Sequence, residues 1–164
     1  MGERAFQDDI PNNYCWGCGR DNPHGLHLRS FWDGDASICS FQPAEAHAAG
    51  PRDVVNGGII ATVVDCHCIG TAIAAAYRAE KRAIGSEPWI WYVTAALNVT
   101  YTRPAPLDRP LNLRATITTT SARKAVLACT VSADGEECAH AEVVVVRVPA
   151  EWGHGRPLSG VSPG

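Results

Sequence analysis

Residues 59–77 read IIATVVDCHCIGTAIAAAY, and the reading of this run decides the fold. The run is rich in alanine and holds no proline, which predicts a helix over 59–77. Apolar or small side chains occupy nearly every position, from Ile59, Ile60 and Val63 through Ile69, Ile73 and Ala76. A helix that is apolar on all sides must be covered on nearly all sides. A sheet wrapped around it supplies that cover. Asp65 breaks the pattern in mid-helix, with His67 two residues beyond.

Outward from the helix, short runs of strand character lie on both sides. Residues 25–32 and 36–42 precede it, separated by the hairpin signal Asp33-Gly34-Asp35. Residues 91–102, 111–120, 125–133 and 139–148 follow it. The first of these sets Val93, Ala95, Leu97, Val99 and Tyr101 against Thr94, Ala96, Asn98, Thr100 and Thr102, the period of two of a half-buried strand. The valine-rich residues 142–148 suggest a sheet edge that is covered or paired. Short connections favour antiparallel pairing. The expectation is an α+β architecture of five to six antiparallel strands around one long helix. The 164 residues form a single domain: an irregular lead-in over 1–24, a core over 25–148 and a flexible tail over 149–164.

Composition narrows the partners. Apolar residues make up 46% and charged residues 19%, which excludes wholesale disorder. A net charge of −3 gives no reason to expect nucleic acid or an anionic membrane. The charge-free stretch 66–77 is too short for a membrane span. The first thirty residues hold no apolar segment of a secretory signal. With seven cysteines, an odd number, reduced thiols in the cytoplasm are expected.

Chemistry is concentrated in few places. Asn56-Gly57-Gly58 stands at the helix start, where Asn caps and free N–H groups favour an anion or a developing oxyanion. Asp65 is costly in an apolar helix unless it is paired or serves as a general base or nucleophile. His67 lies about 200° round the helix from Asp65, so it reads as a core or interface histidine. Cys66 and Cys68 do not converge on it as nucleophiles would. Cys15 and Cys18 with His24 and His27 offer four possible zinc ligands, against two reduced cysteines in a packed turn. The second reading is preferred, and no metal is expected. Arg103, Arg123 and Lys124 are either solvated turn residues or contacts for a phosphate. Trp89, Trp91 and Tyr92 either line an aromatic pocket or belong to the core.

Asn56-Gly57-Gly58-Ile59-Ile60-Ala61-Thr62-Val63-Val64-Asp65 resembles the His-Gly-Gly…Asp signature of hotdog-fold acyl-CoA thioesterases of the phenylacetic-acid-degradation (PaaI-like) branch. Residues 93–105 are similar to that family's following strand, with a Ser or Thr at the position of Thr94. Cys15-Trp16-Gly17-Cys18-Gly19 with Asn22-Pro23 and Gly25-Leu26 resembles a preamble of one branch. The resemblance spans residues 15–148. It implies a hotdog fold and hydrolysis of a small to medium acyl-CoA, with no bound cofactor and a homodimer or homotetramer. Asp65 would activate water or attack the thioester, and Thr94 would hold the water. The N–H of Gly57, with Gly58, would receive the thioester oxygen, and Arg103, Arg123 and Lys124 would meet CoA. Two departures stand out: Asn56 replaces the usual His, and no Asn upstream of the glycines matches around residues 47–50. A non-catalytic acyl-CoA binding protein and a hotdog enoyl-CoA hydratase are the alternatives.

Overall fold

A computed structural model of the chain describes residues 4–154. The elements are β1 (Ser30–Asp33), β2 (Ala36–Phe41), α1 (Gly57–Ala79), β3 (Trp91–Tyr101), β4 (Leu111–Thr120), β5 (Lys124–Ala133) and β6 (Glu136–Val148). All six strands form one antiparallel sheet in the order β1-β2-β4-β5-β6-β3. The helix lies across this sheet, and their shared face is the core: Val63, Val64, Ile73, Leu111, Leu113, Leu127, Val131, Val143 and Val145 are almost fully buried. Each such side chain contributes about 1.5–3 kcal/mol by leaving water. By length and composition α1 could cross a bilayer, but most of its apolar surface is spent inside this core.

The helix begins two residues earlier than expected, at Gly57, because Asn56 caps it: Asn56 Oδ1 accepts the Gly58 N–H at 2.7 Å. It runs two residues further, to Ala79. Residues 25–29 are not strand. β1 starts at Ser30, where β2 first offers a ladder partner. The valine-rich strand is not an edge: β6 is paired on both sides, and β3 is the edge instead.

The lead-in is irregular, as expected, yet it is packed. Phe6, Ile10, Cys18 and Leu28 are buried, and Gln7 reaches across Gly70 to bond the Ser30 N–H at 2.8 Å. An added Cβ at Gly70 would stand 2.7 Å from Gln7 Nε2, so a glycine is what lets Gln7 lie on α1. The lead-in therefore covers part of the helix that the sheet leaves bare. Ala150–His154 form a 3-10 turn against β3, with Trp152 beside Trp91, so the chain stays packed beyond residue 149. The remainder of the expected tail, 155–164, lies outside the described residues.

Candidate active site

One irregularity in β3 positions the site. Thr94 pairs with Val145 and Ala96 with Val144, leaving Ala95 as an extra, bulged residue. Strict alternation would set Thr94 opposite Leu97, Val99 and Tyr101. The bulge instead moves Thr94 onto their face, since its partner Val145 belongs to the same buried series as Val143, Ala141 and Ala139. That face meets α1. Thr94 Oγ1 donates a hydrogen bond to Asp65 Oδ1.

Asp65 is half-buried. Desolvation holds its carboxyl above the usual carboxylate range, the Thr94 bond works against that rise, and the nearby Cys15 adds to it. The result is a positioned carboxylate with one oxygen engaged by Thr94. This geometry suits a general base.

The second cluster lies at the helix start. Tyr101 Oη donates to the Gly57 carbonyl at 2.7 Å, and an added Cβ at Gly57 would stand 3.4 Å from the Tyr101 ring. Asn56 occupies the Gly58 N–H, whereas the Gly57 N–H has no acceptor among the described residues. Of the two donors proposed for an oxyanion, Gly57 is the free one. Sequence reasoning missed Tyr101. Alternation already groups Tyr101 with Leu97 and Val99, but only the bulge at Ala95, seen in the ladder, brings Thr94 to that face.

Both clusters lie on one helix–strand seam but do not meet within a chain. Gly57 and Asp65 are eight residues apart, about 12 Å along α1. The basic residues are also divided. Arg103 pairs with Glu136 just beyond the Tyr101 end of β3, and Lys124, next to Arg123, pairs with Val146, which also pairs with Val93 near the opposite end. All three are exposed. The aromatic residues do not share one wall either. Tyr92 is buried on the helix side, while Trp89 stacks on His154 at 4.3 Å and Trp91 packs beside Trp152.

His67 is fully buried in a separate polar network. Its Nδ1 lies 2.8 Å from Ser30 Oγ and its Nε2 3.2 Å from Ser37 Oγ, which in turn bonds Thr71 Oγ1 at 2.6 Å. Burial pulls its pKa down to about 4, so it is neutral near pH 7. Pointed at β1 and β2, it offers no second group to Asp65. His27 likewise bonds inside the lead-in, its Nε2 lying 2.5 Å from the Asn22 carbonyl oxygen, and neither His24 nor His27 joins the cysteines.

Residues 53–140, more than half of the chain and including Asn56, Gly57, Asp65 and Thr94, match the family model described as the thioesterase superfamily. The chain belongs to the thioesterase superfamily. A solved thioesterase superfamily protein from Shewanella loihica PV-4 is 36% identical, with 78% of this chain and 96% of that one covered and a TM-score of 0.62. Two more distant structures share the fold. The PaaI protein of the E. coli phenylacetic acid degradation operon is 12% identical, with 75% of this chain and 80% of that one covered and a TM-score of 0.61. A phenylacetic acid degradation-related protein of Ralstonia eutropha JMP134 is 18% identical, with coverage of 74% and 85% and a TM-score of 0.60. A search of curated proteins returned no match. The wrapped helix and six-stranded antiparallel sheet of this superfamily member are the hotdog architecture.

Proposed function

We propose that this superfamily member hydrolyses the thioester of a small to medium acyl-CoA in the cytoplasm, without a bound cofactor, in a site shared by two chains. The observation that carries this reading is the Thr94–Asp65 pair: a half-buried carboxylate fixed by a hydroxyl, with His67 turned away toward Ser30 and Ser37. Asp65 takes a proton from water, which attacks the thioester carbon; the CoA thiolate leaves and the free acid forms. Thr94 spends its proton on Asp65 and keeps its lone pairs to accept from that water. Direct attack by Asp65, through an anhydride that water then opens, uses the same geometry. The Gly57 N–H at the helix start is the donor for the thioester oxygen.

The second chain enters for a geometric reason. A reacting carbon lies within about 3–3.5 Å of its nucleophile while its oxygen meets a donor near 3 Å. One straight helix does not hold Gly57 and Asp65 around one carbonyl. Two helices set antiparallel by a two-fold axis do, the start of one facing the middle of the other. Among the described residues the eleven-residue edge strand β3, which carries Thr94 and Tyr101, has no strand partner on its outer side, where its copy could pair. Seven free thiols suit a reducing compartment. Arg103, Arg123 and Lys124 remain candidates for CoA phosphates, with Arg103 having to leave Glu136 to serve.

The test is a hydrolysis screen over short, long and aromatic acyl-CoAs with free thiol as the readout. Thiol release from part of the panel is expected. Binding of acyl-CoA with no release from any member would overturn hydrolysis in favour of a binding protein.

A further inference from the structure

A cluster beside Asp65, but given no part in the proposed hydrolysis, involves the lead-in. The Sγ atoms of Cys15, Cys18 and Cys66 all lie within 4.8 Å of one another, drawing together residues 51 positions apart in the chain. Cys15 and Cys66 are 3.7 Å apart, sulfur to sulfur. A tetrahedral cation with metal–sulfur bonds of about 2.3 Å requires sulfurs about 3.8 Å apart. The spacing is that of one edge of such a tetrahedron.

The surrounding backbone holds the three sulfurs together. Cys15-Trp16-Gly17-Cys18-Gly19 folds back on itself, the Gly19 N–H bonding the Cys15 carbonyl at 2.7 Å. An added Cβ at Gly17 would stand 2.2 Å from Cys66 Sγ, so only glycine lets the helix thiol reach the turn. At Gly19 an added Cβ would stand 2.4 Å from the Cys15 backbone nitrogen, which keeps the turn tight. Asn13 Nδ2 donates to Cys18 Sγ at 3.6 Å, and Asn13 Oδ1 accepts the Cys15 N–H at 3.1 Å, so one side chain braces two members of the cluster.

We propose that Cys15, Cys18 and Cys66 bind a single zinc-class cation that clasps the lead-in to the central helix. Cys18 and Cys66 are buried and Cys15 is exposed, so the fourth position is filled by water from the solvent side. Neither His24 nor His27 takes part. The third ligand comes from α1, which the local spacing of Cys15 and Cys18 gives no means of finding. A lead-in without a strand ladder gains from the clasp a fixed position beside α1. On binding, the thiol protons are released to solvent and no electron moves.

The experiment is cobalt and zinc titration of the full chain after reduction and chelator treatment. Wild type is expected to take up about one cobalt per chain, with thiolate-to-metal charge transfer and intense tetrahedral d–d bands. Cys15→Ser, at the exposed corner, and Cys66→Ser should each weaken uptake about tenfold or more. Zinc should raise the Tm of wild type, and raise that of Cys15→Ser by less at the same zinc concentration. A reduced, folded wild-type chain that binds neither ion would overturn the proposal. So would uptake undiminished in a folded Cys15→Ser chain, and so would a chain that only joins Cys15 to Cys66 as a disulfide on exposure to air. Thioester hydrolysis is read separately, so neither result decides the other.

Discussion

Thr94 and Asp65 are hydrogen-bonded across the helix–sheet seam because the bulge at Ala95 turns Thr94 toward α1. Replacing Asp65 with Asn preserves the shape and removes the proton acceptor. Turnover of Asp65→Asn is expected to fall about 10²-fold or more. Thr94→Ala should fall less, since the carboxylate survives. Steady-state kinetics on the best acyl-CoA of the screen checks both, and near-normal turnover in Asp65→Asn would make the carboxylate structural.

The same bond sets a pH dependence. Burial raises the Asp65 pKa and Thr94 opposes the rise, so activity declines as pH falls through a value above 3.8. Loss of the Thr94 hydroxyl removes a bond to the charged form. The acid limb of kcat/KM in Thr94→Ala should therefore move to higher pH. A limb that stays in place would show that Thr94 does not tune the base.

Much of this fold could be read from residues 59–77 and from period-two runs, because burial on all sides and pleating leave direct traces in side-chain order. The site was legible only in part. Asp65 stood out as a charge in an apolar helix, and Asn56 as a cap. The partnership with Thr94 was visible through family resemblance alone, since alternation assigns Thr94 to the wrong face and a bulge has no reliable mark in local sequence. The edge role of β3 was missed because strand order depends on contacts distant in the chain. The Cys66 contribution to the thiol cluster was hidden for the same reason.

Asn56 acts through the helix start. Asn56→Ala should cost about 1 kcal/mol of stability, measured by denaturant unfolding, while most activity is kept. Asn56→His should be tolerated. Loss of activity in Asn56→Ala with unchanged stability would place the side chain against substrate instead.

His67 gives stability its own pH signature. Its pKa falls from 6.5 when unfolded to about 4 when folded, so between these values the unfolded chain binds the extra proton. Its contribution is fully present above about pH 6.5 and is lost as pH falls toward 4, by about 3 kcal/mol in all. His67→Gln should lower stability at pH 7 and flatten that part of the profile. Equal slopes in the two proteins would mean another group is responsible.

The shared site is tested most directly by mixing two inactive chains. Asp65→Asn lacks the base, and Gly57→Val crowds the free N–H, with Tyr101 already 3.4 Å from the position of an added Cβ. Each should be dead alone, with folding checked by circular dichroism. Refolded together in equal amounts, about half of the dimers are mixed, and each mixed dimer holds one intact pair of Gly57 and Asp65. Activity near a quarter of wild type is the predicted result. Mixed dimers that form, as shown by tagged subunits purifying together, yet hydrolyse nothing would contradict a site built from two chains.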